Sequence, residues 1–169
     1  MATPETRLAE LGIELPAPMA AVANYVPFVI SGNQLLVSGQ VSVMDGALMK
    51  GRLGEDLELS AGQHAARACG INLIAQCKAA VGDLSRIKRV VKLGGFVNSH
   101  PLFIDIPQVI NGCSDLMVEV FGDAGRHAAL LLRHGAVEVR LARHRLRVLG
   151  DRRRLGTAAG YDPLDEGVL

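Results

Sequence analysis

Arginine is the residue type whose placement most strongly suggests chemistry in this chain. Half of the 18 basic residues are arginines between positions 126 and 154, where the only acidic residues are Glu138 and Asp151. A guanidinium binds a carboxylate or a phosphate through two parallel hydrogen bonds, so this segment predicts contact with anions. The arginines are Arg126, Arg133, Arg140, Arg143, Arg145, Arg147, Arg152, Arg153 and Arg154.

Clustered arginine can also neutralise the phosphates of nucleic acid. However, only 4% of the residues are aromatic, and the basic run contains no aromatic platform on which bases could stack. The formal net charge is +1, which gives no general attraction to polyanions. No acid–base pair suited to a ribonuclease is evident. We therefore predict no nucleic-acid partner.

Histidine, cysteine and serine show no familiar catalytic or metal-binding spacing. None of the five histidines forms an H-x-x-x-H pair, so we predict no metal site. The three cysteines occupy apolar positions and are expected to be small buried side chains in a reducing compartment. Ser38 and His127 lack a G-x-S-x-G context, so Ser38 is interpreted as a strand hydroxyl.

Two β-rich runs and a later alternating segment predict the strands. The runs surround the turn Ser31-Gly32-Asn33 and indicate a hairpin, whose first strand starts after Pro27 or lies at an edge. Residues 87–97 alternate, with Lys88 and Lys92 on one side and Ile87, Val91 and Leu93 on the other. The pair Gly94-Gly95 predicts a bulge or a close backbone approach.

Two amphipathic segments predict helices. The first opens at Ser60 with Gln63 three residues on, a capping-box pattern, and ends at Gly82. The second begins near Pro107 and ends at Gly122. With a further strand at residues 136–139, the order is β-β-α-β-α-β. The fold class is therefore α+β, most economically a mixed sheet with two helices on one face.

Length and composition favour one domain. The chain has 169 residues, of which 49% are hydrophobic, enough for a packed core. We assign residues 1–140 to the domain and residues 141–169 to an atypical basic C-terminal tail. The first 16 residues lack a signal-peptide pattern, and no apolar run is long enough to span a bilayer, so we expect a cytoplasmic protein without membrane contact.

Several segments, in the same order along the chain, resemble the Rid family of YjgF-like reactive intermediate deaminases. The similarity covers about residues 7–128 and is closest to the branch labelled endoribonuclease L-PSP-like. The segments are Ala23-Asn-Tyr-Val-Pro-Phe-Val29, Leu36-Val-Ser-Gly-Gln40, Ile87-Lys-Arg-Val-Val-Lys-Leu-Gly-Gly-Phe-Val97, Val109-Ile-Asn-Gly-Cys-Ser-Asp-Leu116 and Val118-Glu-Val-Phe-Gly-Asp-Ala-Gly-Arg-His127.

The resemblance implies a chorismate-mutase-like subunit that assembles as a homotrimer with an inner barrel and three clefts between subunits. It also implies hydrolysis of reactive 2-imino acids, such as 2-iminobutanoate and 2-iminopropanoate, to 2-oxo acids and ammonia without any cofactor. An arginine grips the substrate carboxylate, and a positioned water attacks the imine carbon. The expected ligand is thus a small anionic 2-imino or 2-oxo acid.

Carried over residue by residue, the resemblance implies three cleft positions. Tyr25 matches the cleft tyrosine of the family, and Gly39 matches the glycine whose backbone faces the ligand. Phe96 lies on the strand beside the cleft.

Two positions depart from the family pattern. Ala129 stands where the family has its carboxylate-binding arginine, and Arg140 stands where it has the glutamate that positions water. Arg126 and Arg133 are therefore the residues expected to hold the substrate carboxylate.

Three explanations of these departures remain open. The chain is a divergent enzyme that uses Arg126 or Arg133, a non-catalytic trimer that binds or senses small molecules, or a sequence whose reading frame shifts near Ala128. Out-of-frame translation of GC-rich DNA gives arginine-rich, acid-poor sequence. An unbroken frame through codons 125 to 145 on resequencing would remove the third explanation.

Overall fold

The computed structural model of the chain describes residues 2–21, 23–134 and 144–148. Its main feature is a five-stranded mixed sheet in the order β1-β2-β7-β5-β6, beside a two-stranded ribbon β3-β4. The strands are β1 (Phe28–Ser31), β2 (Gln34–Val37), β3 (Val43–Met44), β4 (Ala47–Leu48), β5 (Ile87–Asn98), β6 (Ala128–His134) and β7 (His144–Val148). The helices are α1 (Pro4–Glu10), α2 (Leu59–Val81) and α3 (Ile106–Phe121), with 3₁₀ turns at Leu84–Arg86 and Gly122–Gly125.

The first two strands form the predicted hairpin. Ser31 pairs with Gln34 across a two-residue turn, and Gly32 has a φ of 56°. Such turns favour glycine at their first central position because other residues resist a positive φ. β1 begins directly after Pro27 and is an edge strand, as the proline predicted.

β5 differs from its predicted alternation. Its pairing with β7 is irregular between Ile87 and Arg89 and again between Val90 and Lys92. Each irregularity switches the face that a side chain meets, so Val90 is buried and Val91 is exposed. Our placement of Val91 on the buried side was wrong. We predicted a bulge or a close backbone approach at Gly94-Gly95. The irregularities lie before this pair, and at the pair itself the pairing with β6 is regular.

β7 was not predicted. It is antiparallel to both β2 and β5 and lies between them, although it falls in the segment that we assigned to a tail from residue 141. The sheet therefore extends past the domain boundary that we placed at residue 140. The strand predicted at residues 136–139 lies outside the described residues.

The two long helices share one face of the sheet. Buried side chains of α2, α3, β2 and β5 belong to a single core cluster, which is the predicted arrangement. The capping box at Ser60 was wrong, because Glu58 is the N-cap residue and Gln63 Nε2 instead donates to Gln108 O at 3.1 Å. Gly82 ends α2 with a φ of 74°, which is the predicted glycine cap.

The N-terminal helix α1 is a feature that the sequence analysis missed. Thr3 caps it by accepting from Thr6 N, and Leu8 is buried in the core. Glu5 accepts from Lys78 Nζ and from Leu84 N, both at 2.7 Å. Burial opposes ionisation of this carboxylate, but these hydrogen bonds outweigh it and lower the pKa of Glu5. They tie α1 to the end of α2.

Candidate functional site

Tyr25 and Gly39 both lie at the open end of the β1–β2 hairpin, outside its last strand pair. Ser38 N donates to Pro27 O at 2.9 Å, and Ser38 Oγ donates to Val26 O at 2.6 Å. These bonds continue the β1–β2 ladder past its last strand pair, which brings the backbone at Gly39 next to the Tyr25 segment. The Tyr25 ring is 48% exposed. The structure therefore places both of these predicted positions at the same end of the hairpin.

Phe96 lies on the face of the sheet that no helix covers. It pairs with Leu132 of β6 and is half-buried. The same open face carries Val29, Val91, Leu130 and Leu132, which are all exposed. A sheet face in contact with water normally carries polar side chains, so this apolar face predicts a covering partner.

Arg126 lies at the opposite edge of the sheet, in a groove. The groove has a volume of about 1040 Å³ and is lined by Ser31, Gly32, Asn33, Gln34, Arg89, Val91, Arg126, His127 and Ala128. Arg126 Nε donates to Asp123 Oδ1 at 3.4 Å, and both side chains are strongly exposed. An exposed pair at this distance contributes little stability, so the guanidinium is available to a ligand.

His127 connects this groove to α3. Its Nδ1 lies 2.6 Å from Gly125 O, and its Nε2 lies 3.1 Å from Ser114 Oγ. A carbonyl oxygen can only accept, so Nδ1 carries a hydrogen, and in the neutral ring Nε2 accepts from the serine hydroxyl. The sequence analysis considered Ser38 as the partner of His127, but the structure places Ser114 there. The two bonds hold the start of β6 against α3.

Arg133 is engaged by the protein itself. Its Nη1 donates to Pro101 O, and its Nη2 donates to Phe103 O at 2.8 Å. The guanidinium thus holds the loop between β5 and α3, in which Leu102 and Ile104 are 81% and 78% exposed. Two of its five N–H donors are thus used by backbone carbonyls. This geometry gives Arg133 a loop-holding role and leaves Arg126 as the more available arginine.

Replacing Arg133 by glutamine should release this loop. We expect the free energy of unfolding to fall by about 1 kcal/mol, a low value for two hydrogen bonds because the guanidinium is exposed. The amide of Phe103, which donates to His100 O, should exchange faster with solvent. Arg126→Gln is the matched control and should leave both quantities unchanged. An Arg133→Gln variant with native exchange at Phe103 would contradict the loop-holding role.

The two groups of predicted site residues are far apart within one chain. β2 and β5 run in the same direction because both are antiparallel to β7. Measured along that direction, Gly39 is about as far along the sheet as Phe96, whereas Arg126 is about as far along as Val90. The separation is about 17 Å along the strands and about 14 Å across them. A small imino acid cannot contact both Tyr25 and Arg126 of the same copy.

A family model described as "YjgF/chorismate_mutase-like, putative endoribonuclease" matches residues 5–141. The chain belongs to this family. Protein TCP17 of Trypanosoma cruzi is 54% identical over 123 residues, which make up 72% of this chain and 77% of that relative. The recognition made from the sequence is therefore confirmed.

Solved structures agree with the YjgF-like fold. A crystal structure of a "putative endoribonuclease" from Shewanella oneidensis is 40% identical with a TM-score of 0.84, covering 87% of this chain and 100% of the other. The protein Atu1372 from Agrobacterium tumefaciens is 43% identical with a TM-score of 0.77, covering 86% and 92%. The predicted α+β, chorismate-mutase-like fold is confirmed.

Of the two positions that depart from the YjgF-like pattern, the structure describes one, Ala129. Ala129 lies on β6, exposed and paired with Leu93, so no charge occupies the position of the family arginine. Arg140 lies outside the described residues. Among the described residues, no group of three or more His, Cys, Asp or Glu side chains could hold a metal ion.

Arg89 and Ser114 are neighbours of the site in this YjgF-like chain that were not predicted from the sequence. Arg89 lines the groove with Arg126. The alternation of β5 could have predicted the side of the sheet on which Arg89 lies. The two irregularities in β5 interrupt that alternation, so the side could not be predicted from the sequence. Ser114 gave no local signal, because its partner His127 follows 13 residues later, beyond the end of α3.

Proposed function

We propose that this YjgF-family protein hydrolyses small 2-imino acids to 2-oxo acids and ammonia at clefts formed between copies of the chain. The observation that carries the proposal is the placement of Arg126 at one edge of the sheet and of Tyr25 and Gly39 at the other. Only two copies, joined edge to edge, could enclose one small anion with all three residues.

The open apolar face supports assembly into a homotrimer with an inner barrel. Val29, Leu130 and Leu132 are each more than two-fifths exposed on that face. Burial of apolar surface is the main favourable term in association, and closing three sheets around an axis would cover it. Light scattering should then give about three times the 17.9 kDa mass of one chain. A monomer would contradict the proposal.

The chemistry requires little of the protein beyond positioning. Arg126 would hold the substrate carboxylate, and the backbone at Gly39 with the Tyr25 ring would shape the opposite wall. Water then adds to the imine carbon and its first proton passes to the nitrogen; the hydroxyl proton follows as the carbonyl forms, the C–N bond breaks and ammonia leaves. Since the imine is already an activated electrophile, holding it beside an oriented water supplies most of the acceleration.

A binding protein without turnover is the second candidate function. It is favoured by Ala129, which leaves the position of the family arginine without a charge. Such a protein would shift its melting temperature with 2-oxo acids but would not consume imines. Absence of any shift would count against it.

Imine turnover can be measured directly. 2-Iminopropanoate generated in solution should disappear faster with micromolar protein, as followed by competition with semicarbazide. Arg126→Gln should lower kcat/KM by at least about tenfold, because a charge-assisted contact to the carboxylate is lost. Lys88→Gln, on the neighbouring strand β5, is the matched control. An imine loss that the protein does not accelerate would remove the enzymatic proposal.

Cytoplasmic location is part of the proposal. Burial raises the pKa of the Cys69 and Cys77 thiols to about 12, and it raises that of Cys113 well above its usual value. All three are buried and outside any disulfide in the part of the chain that the structure describes, which suits a reducing compartment. Among the described residues, no helix is long and apolar enough to cross a membrane.

A further inference from the structure

Arg89 and Arg126 are close enough to serve one ligand. The parallel register pairs Lys92 of β5 with Ala128 of β6. Extending this register by two residues places the backbone of Arg126 near Val90, the neighbour of Arg89. Adjacent strands are about 4.8 Å apart, and both arginines line the same groove. Their guanidinium groups can therefore reach points a few ångströms apart.

The charges of this pair are poorly compensated. In the part of the chain that the structure describes, Arg89 forms no ion pair, and Arg126 has only the exposed contact to Asp123 at 3.4 Å. No described residue that lines the groove carries a carboxylate. Two positive charges that line one groove repel each other, so the pair favours a ligand with two negative charges.

The groove also has room and polar partners for more than the smallest imino acid. Its volume of about 1040 Å³ is at the upper end of small-molecule sites. The hairpin turn contributes the Asn33 and Gln34 amides and the Ser31 hydroxyl to the lining. Amide N–H and hydroxyl groups donate to carboxylate oxygens, so these side chains extend the polar surface beyond the two arginines.

We infer that the groove selects 2-imino acids that carry a second carboxylate. Arg126 holds the carboxylate beside the imine carbon, and Arg89 holds the distal one. This inference rests on the proposed function for the identity of the reacting group. It goes further by naming dicarboxylates as the preferred substrate class and Arg89 as a specificity-determining residue.

Stable 2-oxo acids can test this preference without turnover. Binding of 2-oxoglutarate and of 2-oxobutanoate to the full chain would be compared by calorimetry at fixed ionic strength. We expect 2-oxoglutarate to bind about tenfold more tightly, the worth of one charge-assisted contact. Arg89→Gln should remove that difference and leave 2-oxobutanoate binding unchanged. Lys88→Gln, next to Arg89 on the same strand, should preserve the difference, and Arg126→Gln should weaken both ligands.

Equal affinities for the two acids, or no binding of either, would overturn the inference. A preference that survives Arg89→Gln would also overturn the role of Arg89. Arg89→Lys, which keeps the charge, should retain part of the preference. This variant keeps the test decisive if Arg89→Gln does not fold. The proposed function fails separately. In that case imine loss is not accelerated, although 2-oxoglutarate still binds more tightly than 2-oxobutanoate.

Discussion

Two impaired variants, Tyr25→Ala and Arg126→Gln, should regain activity when their chains are assembled together. Each variant alone lacks one wall of every cleft. In a mixed trimer, a cleft is intact when an Arg126 from a Tyr25→Ala chain faces a Tyr25 from an Arg126→Gln chain. Random assembly makes about a quarter of the clefts intact. We therefore expect roughly that fraction of wild-type turnover after joint unfolding and refolding or co-expression.

The matched control uses the same chains in another combination. Arg126→Gln mixed with the double variant Tyr25→Ala/Arg126→Gln contains no chain with Arg126, so no cleft can be repaired. Recovery in the first mixture and none in the second would assign Tyr25 and Arg126 to different subunits of one cleft. No recovery in the first mixture, with trimers confirmed by mass, would place the two residues in separate functions.

Local patterns in the sequence were enough to predict most of the fold that positions the site. Local turn chemistry predicted the hairpin around Gly32, and apolar spacing with a glycine stop predicted the helices α2 and α3. The strand β5 was also predicted, although its alternation was wrong at Val91. The helix α1 also had a local signal, with Thr3 before Pro4 and Glu5, but seven residues are marginal as an isolated helix. Packing of Leu8 into the core supplies the stability that so short a helix lacks on its own.

Long-range pairing could not be predicted in the same way. β7 lies between β2 and β5, although more than 100 residues separate it from β2. Its alternation covers only five residues within an arginine-rich segment, so the period was too short to recognise. Arg133 illustrates the same limit for the site. The sequence offered it as a ligand residue, whereas its partners are carbonyls about 30 positions away.

The contact between α2 and α3 depends on Gly112, where the two helices are too close for a side chain. A Cβ atom at this position would lie 2.8 Å from the carbonyl carbon and 3.0 Å from the Cα of Gln63, and closer still to its carbonyl oxygen. These atoms belong to the backbone of α2, so they cannot move without the helix. The same two helices enclose the core beneath the sheet, where Cys69, Cys113 and Leu116 are fully buried.

Gly112→Ala should therefore be strongly destabilising, although alanine is intrinsically the better helix former by about 1 kcal/mol. Forcing the helices apart should lower the free energy of unfolding by about 3 kcal/mol, at the upper end for overpacking. Gly62→Ala in α2 is the matched control, because its Cβ would meet side-chain atoms of Leu53 and Val109 and no backbone atom of the facing helix; we expect a smaller loss than at Gly112. Urea unfolding followed by circular dichroism at one protein concentration compares the two variants. Equal stabilities would mean that α2 and α3 separate at little cost, and that the rigid support beneath the sheet is weaker than this packing implies.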